Sequence, residues 1–456
     1  MVRSESDDAI NQDITSRCVA FVVALDGSAL PPPVRHECLR AFVNAVGCLV
    51  GGASHDMTEV AARTLLEHAG APAATLFGRG RRTDMLTAAL INGLSGAAYS
   101  FDDTYGEAML HPSVPILAAM FALAERRPVP GDAFLTAYAA ALETSCRLTR
   151  ALTVPPARAE MAWSQTGLVA GLGAALGCGK LMGLDRQALE WALGIAVSEA
   201  AGTRAAHGSM AASLIFARAA QSGLRAALLA AGGFTAAAGA IEHGFGFARV
   251  FAREADLSAL VADLGTRFEL MANTYKPYPC GIVIHPAVDG VLHLRKIHGL
   301  VPSMIERIAL DVSPRAVALA FRPNPATDIE AKVSLHHWVA VAAATGRAGI
   351  AEGRQAMVSD PAIAALRRRI DTVGAEELSS VAARVSITLT DGRVLSHTVQ
   401  SCSGSHDRPM SDEQLTEKCR QQAELVIGAG RAHALAGLCW ELAGLADAAD
   451  VARAAA

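Results

Sequence analysis

Along the first half of the chain, apolar residues recur at helical spacing. From about Asn11 to Arg253 the sequence is a series of Ala- and Leu-rich segments with short breaks, such as PPP at Pro31 to Pro33, RRPVPGD at Arg126 to Asp132 and VPPAR at Val154 to Arg158. Pro32 and Pro33 precede VRHECLRAFVNAVGCLVGG, where Val34, Cys38, Phe42, Val43, Val46 and Val50 share one face and a glycine pair closes the run, so a helix is predicted there. Dense Ala and Gly in TGLVAGLGAALGCG and AAQSGLRAALLAAGG predict helices whose axes approach closely. GLGAALG lacks the preceding strand that a dinucleotide-binding turn needs and is read as packing surface.

After about Phe268 the period shortens to two. Ile308, Leu310 and Val312 alternate with Ala309 and Asp311, and Val385, Ile387 and Leu389 alternate with Ser386, Thr388 and Thr390 before Asp391-Gly392 and the run Val394 to Val399. These are strand patterns, with a hairpin at the Asp-Gly pair. Apolar helical stretches, His337 to Ala344 and Pro361 to Ile370, lie between them, and Ser411 to Ala456 returns to helix. The expected fold is mainly α: a large all-helical domain from residues 1–265 and 405–456, and a smaller α+β domain over 268–400.

Composition narrows the function classes. With 456 residues, 52% hydrophobic and 18% charged, the chain is neither disordered nor fibrous and can bury a large core. A net charge of −4 without a run of Lys or Arg argues against nucleic acid as a partner. The uncharged stretch Met161 to Gly179 is broken by Ser164, Gln165, Thr166 and five glycines, and reads as a buried helix rather than a membrane span. Nine scattered cysteines with no CxxC pair imply neither a disulfide framework nor a zinc site, and predict reduced thiols in a cytoplasmic protein. The acidic start MVRSESDDAINQD does not fit an export signal.

Three segments are more polar than packing demands. In NGLSGAAYSFDDTYGEAMLHPSVPILAA, the acids Asp102 and Asp103 precede His111 by nine residues or fewer, a spacing that orients an imidazole or builds an acid/base cluster. A helix cap or Asx turn with a surface histidine fits as well. In ANTYKPYPCGIVIHPAVDG, Lys276, Tyr278, Cys280 and His285 crowd around two prolines at the domain junction. Lys276 there either binds a carboxylate or, desolvated, serves as a base, or it is a solvated lysine beside a turn. SEAAGTRAAHGSM places Arg204 and His207 just before a glycine, consistent with a helix start or with ligand contact.

These segments, in this order, resemble the MmgE/PrpD family, whose members include 2-methylcitrate dehydratase, cis-aconitate decarboxylase and iminodisuccinate epimerase. FDDTYGEAMLHPS is similar to the family's FDD…HPS block, WSQTGLVAGLGAALGCGKLMGLD to its Gly-rich helix block, HGSMAASLIFARAAQSG to its GTM…RAAQSG block, YKPYPCGIVIHPAVD to its KxYPC…H block, and DRPMSDEQLTEKC to its closing signature. The resemblance spans almost the whole chain. It implies a homodimer with its site in the cleft between the two domains, working without cofactor or metal on a small carboxylic acid or carbonyl substrate.

Matched residue by residue, Asp102, Asp103, His111 and Lys276 agree with the family's recurrent positions. The chain departs from it at Ser100, in place of an acid, at Tyr105 and Ser164, in place of histidines, at Ala212, in place of a lysine, and at Ile215, where a histidine often follows. His337 occupies the place of a tyrosine. The resemblance therefore implies a divergent lyase or isomerase acting by proton abstraction beside a carboxyl or carbonyl group, with dehydration first and decarboxylation or epimerisation behind it. Fewer cations imply a substrate less charged than citrate. The expected catalytic set is His111, Lys276, His337, Asp102, Asp103 and Tyr278. His207, Arg204, Ser164, Tyr105, Cys280 and His336 are expected around the substrate. The rival reading is a family member that has lost its catalytic set and acts as a binding or assembly protein.

Overall fold

The computed structural model describes residues 13–106, 108–160 and 162–456. The acidic start on which the export reading rests lies, up to Gln12, outside the described residues. The fold is mainly α, with twenty α-helices among the described residues. The proline break starts a helix as predicted, Pro32–Gly51, with Pro at its first positions. The uncharged stretch forms the helix Gln165–Met182, capped by the Ser164 hydroxyl, which accepts from the Gly167 amide, and ended by Gly183 in the left-handed region. Among the described residues, no helix is long and apolar enough to cross a membrane.

Close helix approach is the reason for the small residues. A Cβ on Gly223 of helix Met210–Ala231 would lie 2.5 Å from the Cβ of Ala174 and 2.5 Å from the Gly171 carbonyl of helix Gln165–Met182. Likewise a Cβ on Gly47 would come 2.7 Å from the Cα of Cys419, so only glycine lets helix Asp412–Ile427 lie directly on Pro32–Gly51. One buried cluster runs from Ile14 to Tyr275 and resumes from Leu415 to Ala455. A second is built from residues between Cys280 and Leu389.

The second cluster surrounds a four-stranded sheet in the order Val394–Val399, Ala383–Leu389, Ile305–Val312, Ile370–Gly374. The first three strands are antiparallel and the last pairs in parallel, with Ile308 opposite both Ile387 and Ile370. The Asp391-Gly392 hairpin is present, with Gly392 at φ 85°. Helix Pro361–Arg367 ends three residues short of its predicted limit, because Ile370 opens the parallel edge strand that the helical reading overlooked.

The first region is not strictly all-helical. Ala74–Leu76 pairs with Arg81–Thr83, Thr104–Tyr105 with Asn273–Thr274, and Arg158–Ala159 with Ala252–Glu254. Each pairing satisfies the backbone of a loop over two or three residues, too few for an alternating pattern to show in the sequence.

Candidate active site

The middle of these short pairings builds the site. Thr104 opposes Thr274, whose hydroxyl donates to the Thr104 carbonyl at 2.6 Å, so the Asp102-Asp103 loop is stitched to the segment leading into Lys276. A bridge between Tyr105 and Leu110 then folds the chain back and returns His111 to the acid pair. Ser100 makes the preceding turn at φ 51°, an uncommon conformation for a residue with a side chain.

Three groups converge. The Lys276 ammonium, almost fully buried, donates to the Ser100 carbonyl at 2.9 Å and approaches Asp102 Oδ1 at 3.9 Å. Asp102 Oδ2 lies 3.4 Å from Nδ1 of His111. Neither carboxylate oxygen of Asp102 has a hydrogen-bond partner among the described residues, and burial raises its pKa to about 6 despite the Lys276 charge. Burial also lowers the Lys276 pKa, opposed by Asp102.

His111 Nδ1 lies 3.0 Å from the Asp103 carbonyl. A carbonyl oxygen only accepts, so Nδ1 carries the proton in that bond and Nε2 keeps its lone pair. Burial, reinforced by Lys276, holds the imidazole well below the usual histidine range, which leaves it neutral at pH 7. A neutral imidazole with a free lone pair beside an ammonium is equipped to accept a proton next to a bound anion.

His111 and Lys276 open onto a cavity of about 140 Å³. Ser164, Arg204 and His207 line it too, so the structure brings five of the expected residues to one space, with Asp102 directly behind two of them. Ser100, Ala212 and Ile215, three further positions of departure from the family pattern, are also on its wall. Arg204 is held by its Nε bond to the Trp163 carbonyl at 3.1 Å, and its Nη1 has no partner among the described residues.

The other expected residues are not on that wall. Asp103 accepts from Ser113 and from Asn273 Nδ2 at 2.7 Å, so its carboxylate braces the loop. Tyr105 donates to Glu269 Oε2 at 2.7 Å, and Tyr278 donates to Asp289 Oδ1 at 2.5 Å, which commits the phenol expected as a proton donor. The Cys280 thiol is buried in the second cluster, with its pKa pushed up by burial. His336 packs edge-on against Phe321, with ring centroids 5.1 Å apart.

His337 departs most from expectation. It donates through Nε2 to the Glu352 carbonyl at 2.9 Å, and its Nδ1 lies 3.3 Å from the Arg367 guanidinium. Both nitrogens are used inside the second cluster, and burial lowers its pKa to about 4. Its place in the sequence pattern aligns with a tyrosine, but the helix Leu335–Thr345 turns this side chain into the protein.

Sequence reasoning overlooked Thr104, Thr166 and Lys332 on the wall, and Lys418 behind it. Thr166 Oγ1 accepts the His111 amide at 3.0 Å. A signal for the lysines was present: only five of the 40 basic residues are lysine, namely Lys180, Lys276, Lys296, Lys332 and Lys418. Three of the five surround this site, in a chain that otherwise uses arginine, and lysine is the base whose charge responds to burial. Burial lowers Lys332 and Lys418 to about 8. Among the described residues, no three His, Cys, Asp or Glu side chains group as metal ligands.

Comparison with known proteins gives two family matches. The model of the MmgE/PrpD N-terminal domain matches residues 16–260, and that of the MmgE/PrpD C-terminal domain matches residues 278–442. The chain is 25% identical to the cis-aconitate decarboxylase of Aspergillus terreus, over 98% of this chain and 96% of that one. It is 26% identical to the mouse cis-aconitate decarboxylase over 75% of this chain and 72% of the relative, and 25% identical to the human one over 75% and 73%.

Proposed function

The chain belongs to the MmgE/PrpD family, and from that premise we propose that it is a lyase or isomerase that makes a carbanion or enolate beside a substrate carboxylate, without a cofactor. The observation that carries this reading is the meeting of His111 and Lys276 at one cavity, with the Asp102 carboxylate behind both. Nε2 of His111 takes the proton from carbon. Lys276 stabilises the carboxylate or enolate, and Asp102 keeps that lysine charged. In dehydration, the electron pair of the broken C–H bond forms the alkene, and the hydroxide leaves as water with the proton that His111 Nε2 has taken. In decarboxylation, the C–C bond breaks, carbon dioxide leaves with its bonding pair left on carbon, and the carbon takes a proton from water, whose hydroxide joins the carbon dioxide as bicarbonate. The similarity to cis-aconitate decarboxylases supports a carboxy-lyase, beside the dehydratase that the sequence reading puts first.

The substrate is a small acid with fewer carboxylates than citrate. Arg204, whose Nη1 has no partner among the described residues, and Lys332 are the further cations on this wall, while Ala212 and Ile215 add no charge to it. We read residues 1–265 with 405–456, and 268–400, as the two domains on either side of this cavity, in a cytoplasmic homodimer. The test is incubation with hydroxy and unsaturated mono-, di- and tricarboxylates in deuterium oxide, with mass and NMR analysis and measurement of released carbon dioxide. Deuterium at carbon, lost in His111→Gln, supports the reading. Binding of an acid without exchange or turnover favours the binding-protein alternative, to which the seclusion of His337 lends weight.

A further inference from the structure

The helix Asp412–Ile427 reaches the site from behind through one charged side chain. Lys418 is buried, and its ammonium donates to Asn44 Oδ1 at 2.7 Å, to the Phe101 carbonyl at 2.7 Å and to the Lys276 carbonyl at 2.8 Å. The nitrogen also sits 4.0 Å from the centre of the Phe101 ring. We propose that Lys418 is a positioning residue of the active site, which holds the turn that carries Asp102 and the backbone of Lys276 in fixed relation.

Two lysines thereby form a double stitch. The Lys276 ammonium grips the Ser100 carbonyl, while Lys418 grips the carbonyls of Lys276 itself and of Phe101, the residue before Asp102. All three Lys418 donors go to neutral acceptors, so hydrogen bonding orders the two segments without cancelling the charge. The groups facing it are Cys48, Lys276, Asp102 and Asp103. Asp102 in turn faces Lys276, His111, Lys418, Asp103 and Cys48, and the Lys418 charge favours its ionised form. Arginine does not substitute, because a planar fork cannot direct three bonds from one nitrogen.

This inference rests on the roles given to Lys276 and Asp102 above, and its test includes a readout that needs no substrate. Lys418→Met and Asn44→Asp are compared with the parent after circular dichroism and urea unfolding have established that each folds. In Lys418→Met, kcat is expected to fall about 100-fold with KM within about threefold, the cost of misplaced groups rather than lost binding. The acid limb of the kcat profile moves to higher pH by about one unit as Asp102 loses a positive neighbour. Lys418→Arg does not restore the rate. Asn44→Asp keeps the three bonds but adds a negative charge, and shifts the acid limb the same way with a fall in kcat of less than about tenfold. In [6-¹³C]lysine-labelled protein, the Lys276 resonance titrates at higher pH in Lys418→Met than in the parent.

A folded Lys418→Met with the parent's kcat, acid limb and Lys276 titration overturns the proposal. If Lys418→Met does not fold, an unshifted acid limb in Asn44→Asp overturns it. If no candidate acid is turned over by the parent, the mechanism above fails separately, and the Lys276 titration decides between a coupled Lys418 and a merely structural one. For a Lys418→Met that does not fold, that titration is read in Asn44→Asp.

Discussion

Replacing Asp102 by asparagine removes one charge and leaves the shape of the side chain nearly unchanged, so its effects report on electrostatics. The carboxylate lies 3.9 Å from the Lys276 ammonium. At the effective dielectric of about 20 that suits protein sites, two unit charges at that separation attract by about 4 kcal/mol. Burial already disfavours the charged form of Lys276, and Asp102 is the largest influence opposing it. Since about 1.4 kcal/mol corresponds to one pH unit, the Lys276 titration in Asp102→Asn should move toward acid by up to about three units. The measurement is a ¹³C titration of [6-¹³C]lysine-labelled protein, in which five lysines give a spectrum that Lys276→Met suffices to assign. The basic limb of kcat/KM on the true substrate should move with it. Coincident Lys276 titrations in parent and variant would refute the claim that Asp102 keeps the lysine charged.

Three further outcomes are expected. His111→Gln should lower kcat by a factor of about 10² to 10⁴, the usual contribution of a positioned base, and abolish deuterium uptake; a rate within threefold of the parent would place the base elsewhere. His337→Asn should leave kcat/KM within about threefold but cost about 1–3 kcal/mol at pH 7.5, read by urea unfolding, because the Glu352 carbonyl and Arg367 lose a buried partner. The folded pKa of His337, about 4, lies below the unfolded value of about 6.5, so its contribution is present above 6.5 and lost as pH falls toward 4, and the variant should show a shallower acid loss than the parent. Gly223→Ala should destabilise by about 1–3 kcal/mol through the 2.5 Å clash with Ala174, and an unchanged urea midpoint would contradict the close helix approach.

The elements that the sequence made legible were those whose signal is local. Prolines and a one-faced apolar pattern mark helix Pro32–Gly51, and alternation with an Asp-Gly turn marks Ala383–Leu389 and Val394–Val399. The edge strand Ile370–Gly374 was hidden because its ladder partner, Ile305–Val312, lies far away in the chain and its own run is short. The same distinction holds at the site. His111 and Lys276 stand in distinctive motifs and reach the cavity, but motif position cannot say which way a helix turns its side chains, so His337 was expected at a cavity it does not line. The two-residue pairing of Thr104–Tyr105 with Asn273–Thr274, which unites the site, has no pattern of its own.

The return of helix Asp412–Ile427 onto Pro32–Gly51 also sets an order of events during synthesis. Leu415, Cys419 and Ala423 belong to the same buried cluster as Phe42, Val46 and Val50, although more than 360 residues separate them. A nascent chain that has emerged only as far as the sheet exposes the apolar groove that this helix will fill. The first cluster thus closes last, and the helix that closes it brings Lys418. Burial of the early-made helix Pro32–Gly51 and completion of the reaction centre become one step, so a product truncated before helix Asp412–Ile427 lacks the final contacts of both.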